Sequence, residues 1–242
     1  MLRKLTWPVF TAVALLAASL WAGAALAQGG CAKRGDLDQR YCDEDGDLIA
    51  DAPKDPKALQ NPATLVFSYT PVEDPAVYEN VFAEFMAHLA KVTGKRVRWF
   101  PAESYAAQVE AMRSGRLHIA GVATGPTPFA VNLAGFVPIV SMQRADGSIG
   151  YTLQLITHRD SSIKSVTDLK GKRVAHVAPS SNSGDIAPRA LFKALGIDPG
   201  KDYEVVFSGK HDNSIMGVVN RDYDAAPVAS TVVERMQARG MF

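Results

Sequence analysis

The sequence predicts an α/β protein of two lobes, each built from a mainly parallel sheet flanked by helices. Short β-like runs alternate with stretches of helical spacing from Leu65 onwards. The alternation occurs twice, on either side of a segment that begins at Thr124 and has a different sequence pattern. The chain has 242 residues, 47% of them hydrophobic, which suffices for one large or two modest α/β units. We therefore expect one lobe over residues 64–145 and a second over 146–242.

The first lobe is expected to follow a β-α-β-α-β order. Its β-like runs are LVFSY (65–69), VRWF (97–100) and LHIAGV (117–122). Between the first two, Ala76–Val92 has apolar residues at helical spacing and precedes Gly94, a residue typical of helix C-termini. Ser104 is suited to cap the N-terminus of a second helix over Tyr105–Ser114. Right-handed crossovers between successive strands then produce a parallel sheet.

The second lobe is expected to repeat this order after a connecting segment. Its β-like runs include RVAHV (173–177), YEVVF (203–207) and DAAPVAS (224–230). Helices are expected near 185–195, 212–220 and 231–239. The chain stops soon after the last of these helices, where a further strand would follow. We therefore expect a C-terminal part to be missing.

Residues 1–27 have the pattern of a secretory signal peptide. Arg3 and Lys4 precede an apolar run, and Ala25-Leu26-Ala27 is suited to cleavage. A retained transmembrane anchor is the alternative interpretation. The small residues at the end of the run and the lack of a charged stop-transfer flank favour removal, so we expect an exported protein.

Residues 28–63 form a polar extension rich in Asp and Pro. The two cysteines of the chain, Cys31 and Cys42, lie in it, and export to an oxidising compartment favours a disulfide between them. DEDGDLIAD (43–51) superficially resembles a calcium loop, but Leu48 stands where an EF-type loop needs Gly. We favour an acidic turn over a calcium loop and predict no metal site.

Charge and motif content exclude several function classes. The formal net charge of +1 leaves no electrostatic footprint for nucleic acid, so we expect no nucleic-acid partner. No two histidines have metal-ligand spacing, and no nucleotide P-loop pattern is present, so we expect no cofactor. An exported phosphatase would need a nucleophile beside a base or a carboxylate cluster for two metals. Neither is found, and we predict a binding protein rather than an enzyme.

Polar side chains follow four of the predicted strands. In an open parallel sheet, ligands bind beyond the carboxyl ends of the strands. The loops at these positions are Tyr69–Pro75, Ala123–Thr127, Ala178–Gly184 and Ser208–Asp212, and all are rich in hydroxyls, glycines and helix starts. We therefore expect these loops to line one cleft.

The loop Ala178–Gly184 has the clearest ligand chemistry. Free backbone N–H groups and the positive end of the helix dipole favour an anion at a helix N-terminus. Hydroxyl and amide side chains add neutral donors, and Gly184 lets an oxyanion approach the backbone. An ordinary N-cap is the alternative, but a cap needs only one such residue. Pro188 fits the first helical turn if the helix begins after Gly184 or Asp185, and distorts it if the helix begins at Ser183.

These segments resemble the periplasmic substrate-binding proteins of phosphonate, phosphite and phosphate ABC transporters (the PhnD-like family). The resemblance covers about residues 64–242. It rests on YTPVEDPAVY (69–78), PAESYAAQVEAMRSGRLHIAG (101–121), TGPTPF (124–129), LKGKRVAHVAPSSNSGDIAPRALF (169–192) and SGKHDNSIMGVVNRDYDAAPVAS (208–230). It implies a type II periplasmic binding protein fold that closes on an oxyanion, and a monomer that delivers this ligand to an ABC permease in the inner membrane.

The resemblance also implies a set of ligand residues. Ser181, Asn182 and Ser183 match the family's hydroxyl-rich anion loop, and His211 matches its cleft histidine. Further candidates follow the first predicted strand (Tyr69, Thr70) and the third (Thr124, Thr127). The full set of candidate ligand residues is Tyr69, Thr70, Thr124, Thr127, Ser181, Asn182, Ser183 and His211. Asn182 stands where the family commonly has a hydroxyl residue. Asp185 also departs from the pattern, and it either accepts a hydrogen bond from a protonated oxyanion or a ligand amine, or caps the helix. A sensory module for a membrane kinase would use the same cleft and is the alternative to transport.

Overall fold

The computed structural model describes Cys31 and residues 33–242, so the predicted signal peptide at 1–27 lies outside the described residues. The strands are β1 (Thr64–Tyr69), β2 (Arg96–Trp99), β3 (Ile119–Gly121), β4 (Leu153–Thr157), β5 (Arg173–His176), β6 (Glu204–Phe207) and β7 (Ala225–Ala229). The helices are α1 (Ala76–Val81), α2 (Ala83–Thr93), α3 (Tyr105–Arg113), α4 (Thr127–Ala134), α5 (Ala187–Ala194), α6 (His211–Val219) and α7 (Ser230–Ala238). None of these helices is both long and apolar enough to cross a membrane.

The first sheet has the strand order β2-β1-β3, and both of its pairings are parallel, as expected from the β-α-β-α-β order. We call this sheet with α1–α4 lobe 1. One face packs on α3 and α4 through a core that includes Val66, Ala111 and Ala130. The other face is aromatic, with the rings of Phe67 and Trp99 centred 5.8 Å apart.

The helix expected over Ala76–Val92 is divided in two at Phe82. This residue leaves helical geometry, with φ −95° and ψ 6°. Its ring centre lies 4.8 Å from that of Tyr69 and 5.3 Å from that of Phe67, so the break accompanies insertion of an aromatic ring against the sheet. The prediction of one continuous helix was therefore wrong. The predicted end is confirmed, because Gly94 adopts the left-handed cap conformation with φ 67°.

The second sheet has the strand order β4-β7-β5-β6, and we call it with α5–α7 lobe 2. Strands β7, β5 and β6 are parallel to one another, whereas β4 is antiparallel to β7. The central strands are buried on both faces, and Val174, Ala225 and Val228 are fully inaccessible. Such two-sided burial explains why these strands read as apolar runs without alternation. The carboxyl ends of β5 and β6 and the N-termini of α5 and α6 consequently share one edge.

The N-terminal extension packs against lobe 1 and caps two of its helices. The guanidinium of Arg40 donates to the carbonyl oxygens of Arg113 (3.2 Å) and Leu133 (2.6 Å), at the C-termini of α3 and α4. These carbonyls have no partner within the helices and carry partial negative charge, so a cation there is stabilising. The structure joins Cys31 to Cys42 in a disulfide, with Cα atoms 5.5 Å apart. The closed loop contains Arg40.

The acidic turn of the extension is held by one buried carboxylate. The oxygens of Asp43 accept backbone N–H groups of Gly46 (2.8 Å), Asp47 (3.0 Å) and Leu48 (3.1 Å). Carboxylate oxygens of Asp43, Asp45 and Asp47 lie within 4.8 Å of one another. Asp43 is only 4% exposed, so the turn is less solvated than the sequence suggested. The backbone hydrogen bonds to the Asp43 carboxylate account for the shape of the acidic turn.

Candidate functional site

The loops that follow β1 and β6 meet between the two lobes. The backbone N–H of His211 donates to the Val72 carbonyl oxygen at 3.0 Å. The backbone N–H of Asp74 donates to Oδ2 of Asp212 at 3.1 Å. Both bonds join lobe 1 to lobe 2, so the two loops form one interlobe region.

The loop after β3 reaches the same region from lobe 1. Gly125 lies so close to lobe 2 that an added Cβ would overlap the Ser180 carbonyl oxygen and lie 2.8 Å from the Asn182 nitrogen. Only glycine permits this approach. The loop after β3 in lobe 1 therefore contacts the Ser180–Asn182 backbone of the loop after β5 in lobe 2.

The loop after β5 forms a π-helical turn, Asn182–Ile186, before α5 begins. The Ser181 hydroxyl accepts the Gly184 N–H at 3.2 Å, and the Ser181 carbonyl accepts the Ile186 N–H at 3.0 Å. Pro188 lies in the first turn of α5, where a missing N–H costs no helical hydrogen bond. The α-helix thus begins at Ala187, later than any of the three starts considered from the sequence.

Gly184 has a packing role that the sequence did not reveal. A Cβ at this position would lie 2.5 Å from the Val177 side chain and 2.7 Å from Oγ of Ser181. The Gly184 carbonyl also accepts the Val177 N–H at 3.1 Å. This packing requires glycine independently of any ligand, so the approach of an oxyanion to Gly184 stays a prediction.

His211 is a buried, neutral hydrogen-bond donor. It is the first residue of α6 and only 2% exposed. Its Nδ1 accepts the Ala229 N–H at 3.2 Å, so the proton of the neutral ring is on Nε2, which lies 3.4 Å from Oγ of Ser181. Burial, assisted by the charge of Arg235, lowers the pKa of His211 to about 4. The ring is therefore uncharged at neutral pH.

Two buried hydroxyls, one from each lobe, lack a hydrogen-bond partner among the described residues. They are Oγ1 of Thr70, after β1, and Oγ of Ser183, in the π-helical turn. The two residues are 3% and 2% exposed. A buried polar group without a partner is uncommon in native proteins and calls for an explanation such as a ligand.

Two tyrosines lie at this region, of which the sequence identified one. The Tyr69 ring packs 4.8 Å from the ring of Tyr78, and burial raises the pKa of Tyr69. Tyr105, the first residue of α3, is 3% exposed. Burial raises the pKa of Tyr105, and its hydrogen bond with Ser181 offsets this only in part. Its place at a helix N-terminus was the one sequence signal that could have identified Tyr105.

The remaining candidate residues lie nearer the edge of the region. Thr124 is exposed, and Asn182 is half-buried. Thr127 is half-buried, and its hydroxyl donates to the Ala123 carbonyl oxygen at 2.9 Å within the first turn of α4. That hydroxyl can accept a further hydrogen bond, but its proton is engaged.

The Asp185 carboxylate is fully occupied within lobe 2. Its Oδ1 lies 2.7 Å from Nδ1 of His176, and both of its oxygens accept from Nε of Arg189 at 2.9 Å. Burial alone would raise the pKa of Asp185, but the hydrogen bonds from His176 and Arg189 outweigh it and keep the pKa below its usual range. The sequence offered two roles for Asp185, ligand contact and helix cap, and these contacts assign it to neither.

A buried carboxylate joins the lobes next to Thr70. Glu73 is 1% exposed and accepts from Arg235 (2.8 Å), Arg239 (3.0 Å) and the Tyr78 hydroxyl (2.7 Å). Arg235 lies on α7 of lobe 2 and Arg239 directly follows this helix, whereas Glu73 and Tyr78 belong to lobe 1. Sequence reasoning missed this cluster, because its two halves are more than 150 residues apart in the sequence.

A second groove, of about 800 Å³, lies at the other end of the lobe 1 sheet. Arg96, Arg98, Arg116 and His118 contribute to its lining. These residues lie near the N-terminal ends of the strands, whereas ligands of open parallel sheets bind at the carboxyl ends. The interlobe region is therefore the candidate site.

The arrangement can hold an anion with neutral donors. The N-termini of α3, α4 and α6 contribute Tyr105, Thr127 and His211 to it. The uncharged His211 supplies a donor, as do the hydroxyls of Thr70 and Ser183, which have no partner among the described residues. Helix N-termini and neutral N–H and O–H groups stabilise oxyanions without a full countercharge.

Residues 67–241 match a family model described as the periplasmic substrate-binding protein of a phosphonate ABC transporter. The phosphate-import protein PhnD of Mycolicibacterium smegmatis is 28% identical over 198 residues, which cover 77% of this chain and 61% of that protein. The phosphonates-binding periplasmic protein of Escherichia coli is 29% identical over 146 residues, covering 59% of this chain and 43% of that protein. The chain thus spans less than two thirds of the length of either relative.

Solved structures of similar fold include a binding protein component of an ABC phosphonate transporter from Pseudomonas aeruginosa. Its TM-score is 0.66 at 24% identity, over 73% of this chain and 60% of that one. PhnD1 from Prochlorococcus marinus, solved with methylphosphonate, has a TM-score of 0.65 at 22% identity, over 73% of this chain and 67% of that one. At these identities the likeness establishes the fold.

Proposed function

Because the chain belongs to the family of periplasmic substrate-binding proteins of phosphonate ABC transporters, we propose that it captures a phosphonate-, phosphite- or phosphate-type oxyanion between its lobes for an ABC importer. The family resemblance and the two-lobed α/β fold expected from the sequence are both confirmed. The ligand class follows from the family and from its relatives, one named for phosphate import and one for binding phosphonates.

The observation that carries the proposal is the pair of buried hydroxyls of Thr70 and Ser183. Each lies on a different lobe and has no partner among the described residues. Leaving a buried hydroxyl unpaired costs on the order of 1–3 kcal/mol, and a ligand oxygen between the lobes removes that cost. An oxyanion offers several acceptors at once, so one ligand serves both hydroxyls.

The surrounding groups support an oxyanion rather than a cation. His211 is neutral and presents Nε2–H beside Ser181, and the π-helical turn begins at Asn182. We assign ligand contacts to Tyr69, Thr70, Thr124, Thr127, Ser181, Asn182, Ser183 and His211. The lobe boundaries at 64–145 and 146–242 belong to the same proposal.

The proposal extends to the cellular context. The family is periplasmic, and we propose that residues 1–27 direct export and are then cleaved. The partner is the permease of an ABC importer in the inner membrane, and the protein acts as a monomer without catalysis. The matched family and relatives are binding proteins, which supports this assignment.

A thermal-shift and calorimetry series tests the function. The protein is titrated with methylphosphonate, aminoethylphosphonate, phosphite, phosphate and sulfate, and binding to the native state raises the unfolding midpoint. Ser183→Ala and Thr70→Val should each weaken binding of the tightest-binding oxyanion by about 1–3 kcal/mol, because a buried ligand oxygen loses a hydrogen-bond donor.

Thr93→Val is the matched control. The Thr93 hydroxyl lies on exposed α2 and donates to the Leu89 carbonyl oxygen, far from the interlobe loops. This variant should bind with the affinity of the wild type. No midpoint shift with any of the five anions, or equal affinity in all three variants, would contradict the proposal.

A further inference from the structure

A chain of hydrogen bonds runs behind the π-helical turn. The Tyr203 hydroxyl oxygen lies 2.7 Å from Nε2 of His176, and Nδ1 of His176 lies 2.7 Å from Oδ1 of Asp185. Arg189 completes the chain on the far side of the carboxylate, with Nε 2.9 Å from both oxygens. The side chain of His176 is fully inaccessible, and Tyr203 and Asp185 are 3% and 4% exposed.

The charge of Asp185 sets the direction of one of these hydrogen bonds. Burial raises the pKa of Tyr203, so its phenol keeps its proton, and its hydroxyl shares a hydrogen bond with Nε2 of His176. Asp185 is ionised and can only accept, so Nδ1 of His176 carries a proton and donates to it. His176 on β5 therefore donates from Nδ1 to the carboxylate of Asp185 in the turn.

Asp185 is itself part of the turn that presents Ser183. Its backbone N–H donates to the Ser181 carbonyl oxygen at 3.0 Å. The neighbouring Gly184 is packed against Val177, so Asp185 and Gly184 anchor the turn on its inner side. Ser183, in the same turn, carries a buried hydroxyl that has no partner among the described residues.

We infer that His176 is a positioning residue that holds the ligand-binding turn in place by donating from β5 to Asp185. The inference rests on the proposed function, because its consequence is ligand affinity. A π-helical turn is a rare backbone conformation that occurs often at functional sites. Holding it before the ligand arrives reduces the ordering that binding must otherwise provide.

Two substitutions of His176 separate positioning from general stability. His176→Asn places an amide N–H near the position of Nδ1, so it can still donate to Asp185 but cannot reach Tyr203. His176→Gln reaches the position of Nε2, so it keeps a partner for Tyr203 but leaves Asp185 without its donor. Each variant retains one of the two hydrogen bonds and places one amide in the same buried position, so the pair is matched.

The expected result is an affinity difference between the two variants. His176→Gln should weaken methylphosphonate binding about tenfold, whereas His176→Asn should stay within about threefold of the wild type. Both are measured by calorimetry at a temperature where circular dichroism shows native protein. A purely structural role predicts equal affinities, and that outcome overturns the inference.

Tyr203→Phe keeps the test decisive where a His176 variant fails to fold. This substitution removes only the hydroxyl group that contacts His176, and it should weaken methylphosphonate binding about threefold. Tyr41→Phe is the control, because it removes a hydroxyl that donates to the Ala134 carbonyl oxygen at 2.9 Å in lobe 1. Equal affinities of these two variants contradict the inference. Absence of binding by the wild type to phosphate and methylphosphonate instead refutes the proposed function.

Discussion

Lowering the pH should destabilise this protein because His211 becomes protonated in the unfolded chain. This loss should begin at a higher pH than the range in which carboxylates ordinarily titrate. The imidazole is buried and neutral in the native state, with a pKa of about 4, whereas in the unfolded chain it has the ordinary value of 6.5. Between these values the unfolded chain binds a proton that the native protein does not bind. Stability is therefore full above pH 6.5 and is lost as the pH falls towards 4.

The magnitude follows from the size of the shift. One pKa unit corresponds to about 1.4 kcal/mol, so a displacement from 6.5 to about 4 amounts to about 3 kcal/mol once both states are protonated. At pH 5 the native protein should already have lost about 2 kcal/mol from this residue. That is a large part of the stability of a typical domain.

Urea unfolding followed by circular dichroism at pH 4.5 to 8 measures this loss. His211→Asn is the comparison, because its amide oxygen can still accept the Ala229 N–H but the residue cannot titrate. The difference in unfolding free energy between wild type and variant removes the contribution of the carboxylates common to both. That difference should change by about 2 kcal/mol between pH 8 and pH 5. A difference independent of pH refutes the argument.

Two further predictions concern the contact between the lobes. Gly125→Ala should weaken methylphosphonate binding about tenfold in calorimetry, because its Cβ overlaps the Ser180 carbonyl oxygen and such overpacking typically costs 1–3 kcal/mol; wild-type affinity would show that this contact is dispensable. Glu73→Gln should lower the free energy of unfolding by about 1–3 kcal/mol, because Arg235 and Arg239 lose a buried carboxylate partner while solvent screens their partly exposed charges. A loss below 1 kcal/mol in urea unfolding would contradict that prediction.

Periodicity predicted most elements of the fold because each element has its own local signal. The runs LVFSY and YEVVF became β1 and β6, and the capping role of Ser104 is confirmed by its hydrogen bond to the Ala107 N–H. The predicted helix at 76–92 was wrong at Phe82, where an aromatic ring packs on the sheet and overrides local helix propensity. A contact with a distant strand leaves no trace in the spacing of nearby residues.

Only part of the candidate site could be identified from the sequence. The hydroxyl-rich loop and the strand ends were identifiable, because a parallel sheet places its ligand loops at the carboxyl edge. The environment of each side chain could not be identified from the sequence. The sequence left two roles open for Asp185, ligand contact and helix cap, yet His176 and Arg189 bind both of its oxygens.

By itself the sequence determined most of the elements, the family to which the chain belongs and the loops that carry polar groups, since these depend on neighbours along the chain. The tertiary structure alone decided which hydroxyls are buried without partners among the described residues, which nitrogen of His211 carries the proton and how Glu73 joins the lobes. Hydrogen bonds and desolvation act over a few ångströms in space, between residues far apart in sequence. Those short-range interactions determine the protonation state of His211 and which donors between the lobes are available to an oxyanion.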